Sequence, residues 1–234
     1  MAEAKAQAEL SVAPALLGMV ALRGRVVTGD ALYCQRTLCQ QIRAAHGHYL
    51  LVIKANQPEL LTEVALLFDQ PPPGERFMTT SSQRTQRDRR EVRTLTGSAA
   101  LAVYLAELGW VGAQQVLRLE SCVTHLDGIH AGQTTRLTRY FVTSLSPRVP
   151  AHTLLRLVRE HWHIENRLHY VRDVTLGEDA SQIRSGAAPE ALAALRNALL
   201  GLLRQHGYDN IAAAVRHFAW SPGAALWLLG LHPT

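Results

Sequence analysis

Apolar residues recur along this chain with two different periods. Over residues 10–20 they fall at helical spacing, with Pro14 expected to break the helix. Residues 25–28 form a short apolar run that predicts a strand. Residues 31–45 predict one amphipathic helix, with Leu32, Leu38 and Ile42 on or near one face. The run YLLVI at residues 49–53 is continuously apolar, as in a strand of a parallel sheet buried on both faces. Together these predict a strand–helix–strand crossover of right hand. KANQPEL then leads into a helix over residues 59–68, which stops before Pro71, Pro72 and Pro73.

From residue 84 to 145 the pattern changes. Residues 92–95, 115–122 and 137–143 alternate or carry β-branched side chains. They predict antiparallel strands joined by turns such as Leu126-Asp127-Gly128. Residue 151 begins a long helical region containing HWHIEN. A further helix starts at Pro189, with Leu192, Leu195, Leu199, Leu202 and Leu203 spaced for burial. The tail from Asn210, with Trp220 and Trp227, is expected to pack back on the domain. The organisation is thus an α/β part (1–70), a β-rich insertion (71–150) and a helical part (151–234).

Composition changes this picture in two respects. The 234 residues carry a net charge of +5, with Arg well ahead of Lys. Either a polyanionic partner or an Arg-rich genome explains that excess. Three cysteines, with no CxxC, read as free thiols in a reducing compartment. No convincing signal peptide or membrane-length apolar run is present, so a cytoplasmic protein without membrane partners is expected.

Candidate chemistry clusters at four places. Asp30 ends the run RVVTGD, where open α/β sheets form their sites; it reads either as a metal carboxylate or as a helix N-cap. Gly29 beside it would let the backbone approach a ligand. Glu165 lies on HWHIENRLHYVRD, sharing one broad helical face with His161, Leu168, His169 and Arg172. A carboxylate among cations stays ionised and ready for a metal. A surface ion-pair helix, or zinc held by His161, Glu165 and His169, are the other readings. Asp173, Glu178 and Asp179 follow, as metal support or as capping and solvated residues near Gly177. In RTQRDRREVR, Arg89, Glu91 and Arg93 face one side of an extended strand. That row either grips phosphates or edges a solvated strand. Lys54, Asn56 and Gln57 follow the second strand and fall at the same sheet end as Asp30, to position phosphates or base edges or simply to form a polar loop.

With these residues in view, the chain resembles the DDE insertion-sequence transposases of the H-repeat-associated (ISAs-type) group. The matching pieces are VVTGDALYCQ, LVIKANQ, RREVR, RYFVTSL, HWHIENRLHYVRDVTLGEDASQIR and APEALAALRNALLGLLR, in the expected order. HWxIENxLH followed by DVxxxED is the specific part. The resemblance implies an RNase H-like α/β core with an inserted β-rich region and C-terminal helices. It also implies three carboxylates holding two divalent ions, Mg²⁺ or Mn²⁺, with Asp30 as the second acid and Glu165 as the third. The implied reaction is DNA transposition by phosphodiester cleavage and strand transfer. Lys54, Asn56, Gln57, Arg89, Arg93, His161 and Arg172 would then contact transposon-end DNA.

Two departures shape the expectation. Asp30 is the first Asp in the chain, so the early strand bearing the family's first acid has no counterpart here. An N-terminally truncated member follows, with an incomplete core, a sheet edge left open, weak or absent metal binding and no transposition on its own. A non-enzymatic DNA-binding remnant or inhibitor of intact transposase is the alternative. A homodimer, or a partner supplying the N-terminal half, would complete the site. Second, the related Y-x2-R-x3-E-x6-K signature reads Val158, His161, Glu165 and Arg172 here, keeping only the acid.

Overall fold

A computed structural model describes residues 2–162 and 168–231, with side chains from Leu10 onward. It divides into two compact units, Met1–His161 and Trp162–Thr234.

The first unit is built on one six-stranded sheet of order β1-β2-β6-β5-β4-β3. Helix α1 (Ala2–Gly18) precedes β1 (Val26–Gly29); a 3-10 turn (Ala31–Tyr33) and α2 (Arg36–Ala44) lead to β2 (His48–Ile53). β1 and β2 are parallel, as the apolar runs predict, pairing Val26 with His48 and Gly29 with Leu51. Helix α3 (Pro58–Asp69) follows, starting with Pro58 in its first turn, where the missing N–H costs nothing. Then come β3 (Met78–Gln86), β4 (Arg89–Ser98), α4 (Ala102–Glu107), β5 (Gln115–His125) and β6 (Thr134–Thr143). These four strands are antiparallel, and β6 also pairs antiparallel with β2. The β-rich stretch is therefore continuous with the parallel pair in a single mixed sheet. Helix α5 (Ala151–His161) closes the unit.

Strand alternation builds two apolar layers. Tyr49, Leu51, Ile53, Val116 and Val142 face Ile42, Leu60, Val64, Leu105 and Trp110 on one side. Leu50, Val52, Leu95, Leu117, Leu119 and Phe141 face Leu154, Leu155 and Val158 of α5 on the other. Because both faces of β2 are covered, its sequence is apolar throughout rather than alternating.

Three expectations are corrected here. Pro14 does not end α1, which runs through it; the Pro14 carbonyl accepts from Gln41 Nε2 at 2.7 Å, so the disturbed turn is held from α2. Residues 31–45 do not form one helix. The chain makes a 3-10 turn, breaks at Cys34 and Gln35, and restarts at Arg36, which buries Leu38, Cys39 and Ile42. Strand β3 and helix α4 were not expected. β3 is polar along most of its length, so no apolar period announces it.

The second unit contains a π-helical segment (Val171–Thr175), α6 (Ala188–Gln205), α7 (Ile211–Trp220) and α8 (Pro222–Leu228). Its buried core is Leu200, Leu203, Ile211 and Ala214. Leu195 and Leu199 are exposed rather than buried, and Trp220 and Trp227 are 89% and 67% exposed. The tail is helical, but it contributes Ile211 and Ala214 to the core instead of its tryptophans.

Candidate functional site

The site begins with how β1 ends. Parallel pairing with β2 brings the carboxyl ends of both strands to one edge of the sheet, so Asp30 and the residues after Ile53 share one place. Asp30 caps the 3-10 turn, its Oδ1 accepting from the Ala31 amide at 2.7 Å. Lys54 Nζ lies 3.1 Å from that same oxygen, in a pair whose side chains are more than half exposed. Both contacts fall on Oδ1. Partial burial works against ionisation of Asp30, but the Ala31 N–H, the Lys54 ammonium and His161 outweigh it. The carboxyl therefore lies below its ordinary value and is ionised at neutral pH.

The helix-cap and metal-carboxylate readings of Asp30 are thus compatible. One oxygen makes both the cap and the ion pair, and neither contact requires the carboxyl to be neutral. Gly29 has a packing reason instead of a ligand-approach reason: a Cβ there would stand 2.9 Å from Leu51 Cδ2 and 3.1 Å from Tyr33 Cβ.

Asn56 and Gln57 act on the same turn. Asn56 Nδ2 donates to the Ala31 carbonyl at 2.6 Å, and Gln57 Nε2 donates to the Cys34 carbonyl at 2.9 Å. The Ala31 carbonyl also accepts from the Cys34 amide in the 3-10 turn, so the two side chains add bonds that hold the loop carrying Asp30. This bracing role was not foreseen; polar amides directly after a parallel strand were the available signal. His161, at the end of α5, has Nδ1 3.1 Å from Thr28 Oγ1 on β1. Thus the Asp30 edge holds Lys54, Asn56, Gln57 and His161 together.

The other predicted residues fall elsewhere. Arg89 and Arg93 stand on β4, on the same face as Glu91, and Arg93 pairs with Glu91 at 2.6 Å. Arg172, in the second unit, forks onto Glu178, with Nε donating to Oε2 at 2.7 Å. That pair lowers the Glu178 carboxyl and raises the Arg172 guanidinium, each through the side-chain hydrogen bond first. Glu178 is therefore an arginine partner. Glu165 lies outside the described residues, as does the centre of the His161, Glu165, His169 zinc reading. Among the described residues no group of three His, Cys, Asp or Glu side chains is placed to hold a metal. What the described edge offers a divalent cation is one hard carboxylate oxygen, which suits Mg²⁺ or Mn²⁺ better than a soft ion.

Cys34 and Cys39 offer no reactive thiolate to the site. Cys34 and Cys39 are buried, and burial pushes Cys39 up to about 12 and Cys34 higher still. Nor does a cavity of about 630 Å³ beneath α1 offer polar groups suited to it: its lining is chiefly apolar, including Val12, Leu16, Val27, Leu38 and Ile42.

A mixed sheet covered by helices on both faces, with an ionised Asp at the carboxyl end of a parallel strand, has the form of an RNase H-like α/β domain. The chain belongs to the DDE transposase family: the model of the transposase DDE domain matches residues 4–202. It is 30% identical over 208 residues to "Putative transposase YncI" of Escherichia coli O157:H7, covering 86% of this chain and 51% of that protein. It is 26% identical over 203 residues to "H repeat-associated putative transposase YhhI" of Escherichia coli strain K12, with 83% and 51% covered. "Putative protein YbfL" of the same strain is 27% identical over 205 residues, again with 83% and 51% covered. The chain spans about half the length of these curated relatives. No described helix is long and apolar enough to cross a membrane.

Proposed function

We propose that this chain supplies two of the carboxylates of a DNA transposition centre, Asp30 and Glu165, which hold Mg²⁺ or Mn²⁺ for phosphodiester cleavage and strand transfer. The observation that carries the reading is the Asp30 edge: a carboxylate kept ionised by its neighbours, held on a braced turn at the carboxyl end of a parallel strand. A bound divalent ion supplies activation of the attacking oxygen and neutralisation of the leaving one. The chain's own residues prepare for it. Asn56 and Gln57 fix the turn, the Ala31 amide orients the carboxylate, and Lys54 balances its charge until a stronger cation arrives. Transposon-end DNA is the substrate, with Lys54, Asn56, Gln57, Arg89, Arg93, His161 and Arg172 near its backbone.

The Lys54–Asp30 pair favours one second reading, in which the chain binds DNA and performs no chemistry. An ammonium already occupying the carboxylate suits a protein that never exchanges it for a metal. Mn²⁺ titration of the purified chain, followed by electron paramagnetic resonance, separates the two. Transposition chemistry requires saturable binding that falls at least tenfold in both Asp30→Asn and Glu165→Gln, whose folds are checked by circular dichroism. Binding that is absent, or unchanged in both variants, leaves the DNA-binding reading.

A further inference from the structure

The sheet ends in two edge strands of unequal length. β1 offers four residues and β3 offers nine, a line of about 30 Å. A long open edge presents backbone donors and acceptors with which another strand can pair, and proteins blunt such edges with Lys, Pro or a bulge. β3 carries none of these devices. Its sequence, MTTSSQRTQ, holds neither Lys nor Pro, and it pairs with β4 residue for residue from Met78–Gly97 to Gln86–Arg89. Among the described residues no backbone hydrogen bond reaches its outer side.

The tight turn after β3 fixes which groups face outward. Gln86 and Arg89 flank two turn residues, Arg87 and Asp88, with Arg87 at a φ of +52°. The pair flanking a two-residue turn exchanges its backbone bonds. Direction alternates along a strand, so Arg84, Ser82 and Thr80 also bond to β4. Thr79, Ser81, Gln83 and Thr85 then aim their N–H and C=O groups at the open side. The far strands carry the same phase. It makes Thr124–Thr134 a pair without mutual backbone bonds, and there the two Oγ1 atoms lie 3.0 Å apart. The next amide, His125, donates to the Gln133 carbonyl at 3.0 Å, as that phase requires.

The four outward residues are self-complementary. A twofold axis through Ser82 sets Thr79 against Thr85 and Ser81 against Gln83 of a second copy. Every outward group then meets another outward group, in about eight hydrogen bonds. In this register Arg84, the one charged residue of β3, faces Thr80 of the second copy and not the second Arg84. It also keeps Glu91 opposite it on β4. No like charges oppose one another, and the facing side chains are Thr, Ser and Gln, which hydrogen-bond across strands.

We propose that β3 is a dimerisation edge: two copies of this chain pair their β3 strands antiparallel about Ser82 and join their sheets into one. The pairing stands on backbone direction and charge, independently of the Asp30 chemistry.

The test uses the full chain in sedimentation velocity, up to about 200 µM, since a single strand edge is a small interface and gives a weak dimer. Gln83→Pro removes one outward N–H, which an edge strand tolerates on its open side. It should weaken dimerisation at least tenfold, with circular dichroism unchanged. Cross-linking covers the case in which that variant misfolds. On the axis the two Ser82 Cα atoms stand about 4.5 Å apart, within disulfide reach, whereas the two Thr79 positions lie about 20 Å apart. In a Cys122→Ser background treated with diamide, Ser82→Cys should therefore give a covalent dimer and Thr79→Cys should not. A chain monomeric at all concentrations, or a dimer unaffected by Gln83→Pro, overturns the edge. Equal cross-linking at both positions overturns the register. A monomer that instead takes up an added Ser/Thr-rich extended peptide assigns the edge to another partner and overturns the second copy.

Discussion

Asp30 shows how one side chain meets two demands. Its Oδ1 serves the turn and Lys54, and its ionisation depends on both. Since the folded value is depressed, the contribution of Asp30 to stability is present above its unfolded value near pH 3.8 and fades as pH falls through the lower folded one. The side chain is more than half exposed, so the effect is small. Lys54→Met removes the pairing but keeps the burial, and should raise the Asp30 value; carboxyl carbon NMR titration reads this directly. Asn56→Ala tests the brace. It breaks the bond to the Ala31 carbonyl and should cost about 0.5–1.5 kcal/mol in chemical denaturation, while leaving Asp30 itself in place. If the denaturation midpoint does not move, the amide is not holding the turn.

At the scale of elements, packing decides what the sequence makes visible. β2 was legible because a strand covered on both faces is apolar at every position, from Tyr49 to Ile53. The parallel pairing of β1 with β2, and the gathering of Lys54, Asn56 and Gln57 near Asp30, followed from that strand. β3 was illegible because it lies at a sheet edge with mostly polar side chains, and its pairing with β4 comes from the backbone rather than from an apolar pattern. The helix expected from residue 31 is instead a 3-10 turn that the Cys34 amide closes onto the Ala31 carbonyl, and Asn56 and Gln57 add tertiary bonds to it that no helical period reports. Gly29 looked like a ligand-approach glycine, yet its neighbours Leu51 and Tyr33 leave no room for a methyl group. Gly29→Ala should therefore destabilise by about 1–3 kcal/mol through overpacking, read as a lower Tm. On the other face, Leu154 is fully buried between α5 and the sheet, and Leu154→Ala should cost about 2–5 kcal/mol. A loss below 1 kcal/mol would mean that α5 is not anchored through this residue.

The two compact units differ in how much apolar surface each withdraws from water, and this difference sets their stability. The first has two buried layers on opposite faces of a six-stranded sheet. The second centres on Leu200, Leu203, Ile211 and Ala214, and leaves Leu195, Trp220 and Trp227 largely in solvent. Local opening free energy follows buried apolar contact, so amides of α6 and α7 should exchange with solvent through smaller openings than those of β5 and β6. The second unit also has a pH-sensitive contact. Arg172 depresses the Glu178 carboxyl, so their pairing favours the folded unit above the ordinary value of 4.5 and is lost as pH falls through the lower folded value. Hydrogen exchange measured from pH 6 down to pH 3 should show protection of the Val171–Thr175 segment weakening only at the acid end, after correction for intrinsic rates. In Arg172→Gln that protection should start lower and lose its dependence on Glu178. Uniform protection across both units, or an identical pH profile in the variant, would remove the argument that the small core and this ion pair govern the second unit.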